Sequence, residues 1–122
     1  MNFLTILHHF SPIIALFTLI IGFFAIFKPK PMAKNFGVPV GADAYPFVIA
    51  TGVRDIFMGT VILILYFLGQ WYAIALVSFS LTLVAVSDFV IVQKYGIKKN
   101  SWTHFLGALG TLIYGLFLLV YG

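Results

Sequence analysis

Residues 50–59 read Ala50-Thr51-Gly52-Val53-Arg54-Asp55-Ile56-Phe57-Met58-Gly59, setting an arginine beside an aspartate within an apolar run from Tyr45 to Leu68 that holds no other charge. A run of that length crosses a bilayer, because a hydrocarbon core of roughly 30 Å needs about 20 helical residues. Charge placed there costs at least ~2.5 kcal/mol per residue even on the lenient insertion scale. Such groups therefore face a protein interior or a wet cavity and pair with something. Arg54 and Asp55 are read as the start of a site whose other members come from elsewhere in the chain.

Outward from that run, the whole composition agrees. With 62% hydrophobic and 8% charged residues among 122, the chain cannot clothe itself in the charged exterior of a soluble domain, where charged residues are about a quarter of the total. It reads as a membrane protein. Net charge is +4, but six of the seven cations are lysines in two short loops rather than on a face with stacking aromatics. That pattern argues for membrane orientation and against nucleic-acid binding. No cysteine is present, which removes thiol redox chemistry, disulfides and thiolate metal ligation. The first apolar segment has no basic start and no evident cleavage site, so it reads as a retained helix.

Four spans follow, at about 10–27, 45–68, 71–93 and 102–121. Ser11-Pro12 opens the first, with serine as the expected cap and proline in the first turn. Ala15, Thr18, Gly22 and Ala25 form a thin small-residue strip along it that lets a neighbouring helix come close. The stretch from Lys28 to Asp43 holds three prolines, two glycines and three lysines, and reads as a helix-breaking loop outside the hydrocarbon. Its Phe36-Gly37-Val38-Pro39 segment either folds back as a lid or lies among the headgroups. Leu68-Gly69-Gln70 is a tight turn, so the second and third spans are antiparallel neighbours. Asp88 stands late in the third span. Ser101 is the expected cap of the fourth, whose first turn carries His104 and whose Gly107, Thr111 and Gly115 form a second small-residue face.

All six lysines fall in the first and third loops, which places those loops in the cytoplasm and both termini outside. At 1.5 Å per helical residue, Asp88 then lies roughly 9 Å from the third loop and Arg54 and Asp55 roughly 14 Å in from Tyr45. All four groups, Arg54, Asp55, Asp88 and His104, belong to the lysine-bearing half. Neighbouring residues on a helix point about 100° apart, so Arg54 is expected to meet Asp88, and Asp55 to meet His104 or the hydroxyls of Tyr45, Thr51 or Ser87. Carboxylates and an imidazole beside a fixed cation are what general acid–base chemistry needs. The same groups also serve as polar glue that fixes helix register. Paired His8-His9 diverge on a helix and fall short of a ligand set, so no metal is expected. No phosphate loop, nucleophile elbow or dinucleotide fingerprint occurs, and no cofactor is expected.

Phe36-Gly37-Val38-Pro39, Ala50 to Asp55 with Gly59, Asp88, and Trp102 with His104 and Gly107 together resemble a family of small bacterial and fungal integral membrane proteins known as a domain of unknown function, with a distant likeness to DoxX-like four-helix proteins. The resemblance covers nearly the whole chain and implies a four-helix fold without a settled activity.

The reading is an all-α bundle of four transmembrane helices in one domain, in a bacterial inner (plasma) membrane. Asp55, Asp88 and His104 are the candidate catalytic groups; Arg54, Thr51, Tyr45 and Trp102 are the candidate substrate-binding ones. Two functions are carried forward. In one, a lipophilic small molecule enters from the bilayer and Arg54 holds its anionic or carbonyl oxygen, while the acid–base groups support isomerisation, cyclisation or hydrolysis. In the other, the chain is a non-catalytic accessory subunit whose charges only fix packing. A homo-oligomer or a membrane complex is left open.

Overall fold

A computed structural model describes residues 2–122 and is helical almost throughout, with no strand among the described residues. The elements are α1 (Phe3–His9), α2 (Ser11–Phe27), α3 (Pro29–Phe36), α4 (Tyr45–Phe67), α5 (Trp71–Tyr95) and α6 (Ser101–Tyr121), with single 3-10 turns at Ala42–Ala44 and Lys98–Asn100. Four helical stretches are long and apolar enough to cross a membrane: Phe3–Phe27, Ala42–Phe67, Trp71–Tyr95 and Lys98–Tyr121. The first thus starts eight residues before its Ser11-Pro12 signal. Phe10 keeps helical dihedrals and joins α1 to α2, and Pro12 only deletes one backbone bond near the joint.

Two expected caps have other partners. The Ser11 side chain is fully buried and makes no cap; its hydroxyl meets the Tyr114 hydroxyl at 2.6 Å, and Tyr114 donates to the Leu7 carbonyl at 2.6 Å. Because Tyr114 spends its proton on Leu7, Ser11 is the donor to Tyr114. Ser101 likewise donates to the Lys98 carbonyl at 2.6 Å and accepts from Gln93 Nε2 at 2.6 Å, which ties α5 to the start of α6.

The expected loop after α2 contains a helix. In α3, Pro29 and Pro31 fall within the first turn, where backbone N–H groups lack intrahelical partners anyway, so the prolines that end α2 start α3 at little cost. Gly37 closes it at φ 113°, with Val38 N–H reaching the Ala33 carbonyl at 3.1 Å. The α4–α5 turn is built the same way. Gly69 takes φ 67°, and Gln70 and Gly69 donate to Leu65 and Tyr66, as in a Schellman motif.

Packing divides the bundle into two close pairs, α2 with α4 and α5 with α6. The first pair meets through its small residues: a Cβ built on Gly22 would lie 2.7 Å from the Gly52 carbonyl oxygen, and one on Gly52 would lie 2.6 Å from that of Gly22. Gly59 sits as tightly against Ala15 and Leu19. Of the predicted small-residue face on α6, Gly115 does pack, against the Phe79 ring, but Gly107 faces open space. Contacts between the pairs are sparse. At the end away from the lysines, Leu7, Ile74, Ala75, Tyr114 and Leu118 fill the centre, with Trp71 and Tyr66 packed on them. At the lysine end α3 bridges the pairs: Ile97 donates to the Gly37 carbonyl at 2.8 Å and Asn100 Nδ2 to that of Lys34 at 3.4 Å. Between these two closures the molecule is hollow.

Candidate functional site

The hollow is a cavity of about 680 Å³ whose walls come from α2, α3, α4, α5 and α6. Most of its surface is apolar, from residues such as Ile13, Phe17, Phe47, Leu81 and Val84. Met32, Ala33, Phe36 and Val38 close it at the lysine end, so the Phe36–Pro39 segment folds back over the interior. Helices α2 and α6 scarcely touch, and the cavity is bounded on that side by Ile13 and Phe17 and by the exposed Gly107 and Gly110. That flank opens to the outside of the bundle.

Arg54, Asp55, Asp88 and His104 all line this one cavity. Arg54 Nη2 lies 3.4 Å from Asp88 Oδ2, the pairing expected across α4 and α5. Asp55 departs from expectation, for its Oδ1 takes Arg54 Nε at 3.2 Å rather than meeting His104 or a hydroxyl. The 100° rule governs where Cβ atoms point. The arginine side chain is long enough to fold back along its own helix, which lets it hold both acids at once. Asp88 is the more deeply set, at 8% exposure, while the Arg54 side chain retains 34%.

His104 Nε2 lies 2.8 Å from the Phe36 carbonyl oxygen, and the two rings pack with centroids 4.5 Å apart. A carbonyl only accepts, so Nε2 carries a proton and donates it to Phe36. The bond also latches α3 to α6. No single sequence reports a main-chain partner 68 residues away, so this role was not legible beforehand.

Of the remaining candidates, Thr51 lines the cavity, although its hydroxyl donates to the Val48 carbonyl at 2.6 Å. Tyr45 is not part of the lining. Trp102 is 58% exposed and packs edge-on to Phe89 and Phe105, away from the cavity. Its place at the start of α6 suits an interfacial aromatic. Two residues that were not candidates, Thr18 and Thr111, add hydroxyls to the wall. Ser87 donates to the Leu83 carbonyl at 2.9 Å and stays out of the cluster.

Four apolar helices around an internal ion-pair cluster define a small integral membrane protein. The chain belongs to the DUF4267 family, a domain of unknown function, whose model matches residues 15–118. The matched segment contains every charged member of the cavity. No curated protein and no solved structure matches the chain, and the likeness to DoxX-like proteins stays a sequence resemblance.

Proposed function

We propose that this protein binds a lipophilic small molecule in its central cavity, with the polar group of that molecule against Arg54, Asp55, Asp88 and His104. The observation that carries the reading is the joining of a largely apolar volume of about 680 Å³ to the one internal charged cluster among the described residues. Ligand sites are typically concave, mostly apolar and equipped with a few convergent polar groups. The flank between α2 and α6 offers entry from the bilayer. Within the site, His104 Nδ1 and the carboxylates are the groups able to exchange a proton with a bound molecule, and isomerisation, cyclisation or hydrolysis without a cofactor are the reactions such parts serve.

The architectural reading has one observation in its favour: the Arg54–Asp88 pair spans α4 and α5, which otherwise meet sparsely. Asp88→Asn and His104→Ala separate the two. Arg54 keeps Asp55 as a partner in Asp88→Asn, so no unpaired cation is left buried. We expect folded yield and melting temperature near those of the wild type for both variants, with loss of ligand binding of about tenfold or more. A collapse of yield and thermal stability in both variants, with binding per folded molecule unchanged, would sink the ligand site in favour of packing.

Orientation belongs to the same proposal. Lys28, Lys30 and Lys34 at α3 and Lys94, Lys98 and Lys99 at the α5–α6 connection gather at one end, which we place in the cytoplasm, with both termini outside. The absence of native cysteine makes the check simple. Single cysteines at Lys30 and Lys98 should resist an impermeant maleimide on intact cells and react after lysis, whereas one at Gln70 should react on intact cells. The reverse pattern would invert the protein.

A further inference from the structure

The charges around the cavity do not balance. Its lining carries two carboxylates, one guanidinium and no lysine, so the carboxylates outnumber the fixed cation. Hydrogen bonding is uneven in the same sense. Arg54 engages Oδ1 of Asp55 and Oδ2 of Asp88, while Asp55 Oδ2 and Asp88 Oδ1 receive no hydrogen bond from any described protein group. The Asp88 side chain is 11% exposed and borders the open volume, so its unengaged oxygen faces the cavity. In surroundings this apolar, an uncompensated carboxylate is costly, and a ligand that neutralises it gains what an isosteric neutral or anionic one does not.

We infer that the cavity selects a lipophilic amine, its ammonium group donating to the free oxygens of Asp55 and Asp88 and its hydrocarbon body lying against the walls of α2, α4 and α5. The inference rests on the cavity being a ligand site and adds the sign of the ligand's charge. It reassigns Arg54, which holds the two acids in position instead of holding an anionic or carbonyl oxygen of the ligand. Phe10, Phe17, Phe36 and Phe47 in the same lining add apolar surface for the hydrocarbon body. A ligand carboxylate, by contrast, would meet two like charges beside a guanidinium whose Nε and Nη2 already hold them.

Three probes with one ten-carbon cage and different head groups decide the matter: 1-aminoadamantane, 1-adamantanol and 1-adamantanecarboxylate. Each is titrated by calorimetry at neutral pH into the full chain in lipid nanodiscs, with empty discs subtracted. The amine is expected to bind saturably and at least about tenfold more tightly than the alcohol, the carboxylate not at all. Asp55→Asn and Asp88→Asn should each erase the preference for the amine, read as the ratio of amine to alcohol affinity within the same variant, so that either variant suffices if the other fails to fold. Should the alcohol or carboxylate match the amine, this inference falls while the ligand site stands. Should no probe saturate, both fall together.

Discussion

Gly52→Val is expected to abolish the stable bundle. At this position the bare Cβ of any larger residue would lie 2.6 Å from the Gly22 carbonyl oxygen and 2.9 Å from Ala25 Cβ. Neither atom belongs to a flexible side chain that could swing aside, so α2 and α4 must separate along their length. Membrane helices associate through close packing without a hydrophobic drive between them, so lost proximity is lost stability. Overpacking costs typically 1–3 kcal/mol where side chains can adjust and more where backbone must move. The expected result is a melting temperature in detergent lowered by about 10 °C or more, or no monodisperse protein at all. Gly22→Val, the mirror of the same contact, should behave alike. Gly107→Ala is the control: nothing lies within 4 Å of its Cβ, and alanine is the better helix former by about 1 kcal/mol. If Gly52→Val melted like Gly107→Ala, the α2–α4 seam described here would be wrong.

One side of that seam was readable beforehand, for the spacing of Ala15, Gly22 and Ala25 already marks a face narrow enough for another backbone, though not which helix supplies it. So were the four spans, since apolar runs of this length have no other home, and so was the Arg54–Asp88 pair, since a lone intramembrane arginine needs an acid at matching depth. What could not be read is the angle at which each helix presents its face. Depth follows from counting residues, but whether Gly107 meets a helix or a void depends on how α6 is turned toward α2, and no residue type encodes that. Prolines 29 and 31 misled for another reason: the residue that breaks one helix is well tolerated in the first turn of the next. Asp55 and His104 line one cavity but with partners other than those expected, because a long arginine can reach its own neighbour and a main-chain carbonyl has no sequence signature.

The hollow half carries a cost that a purely structural bundle has no reason to keep. Leu7, Ile74, Ala75, Tyr114 and Leu118 show that this sequence can close its centre with side chains. On the other half α6 places Gly107 and Gly110 at the wall, where neither glycine is needed for a turn or a close approach. Empty lining forfeits dispersion contacts, and each glycine inside a helix costs about 1 kcal/mol relative to alanine. On the proposed reading, these glycines are kept because the volume beside them takes the ligand.

Gly110→Leu tests this directly. The new side chain meets no atom at its Cβ and projects from the cavity wall, so it should take up volume without strain. Helix propensity and added burial both favour it, and the melting temperature is expected to hold or rise by a few degrees, for roughly 1 kcal/mol. Binding of whichever adamantane probe the wild type retains should drop about tenfold or more, because the displaced volume is the ligand's. Gly107→Leu, one helical turn closer to His104, should have the same effect. Stability and binding would then move in opposite directions, which no packing role for the cavity allows. A variant that melts higher and still binds as tightly as the wild type would show that the void beside α6 is not where the molecule sits, and the site would have to shrink to the Arg54 cluster alone.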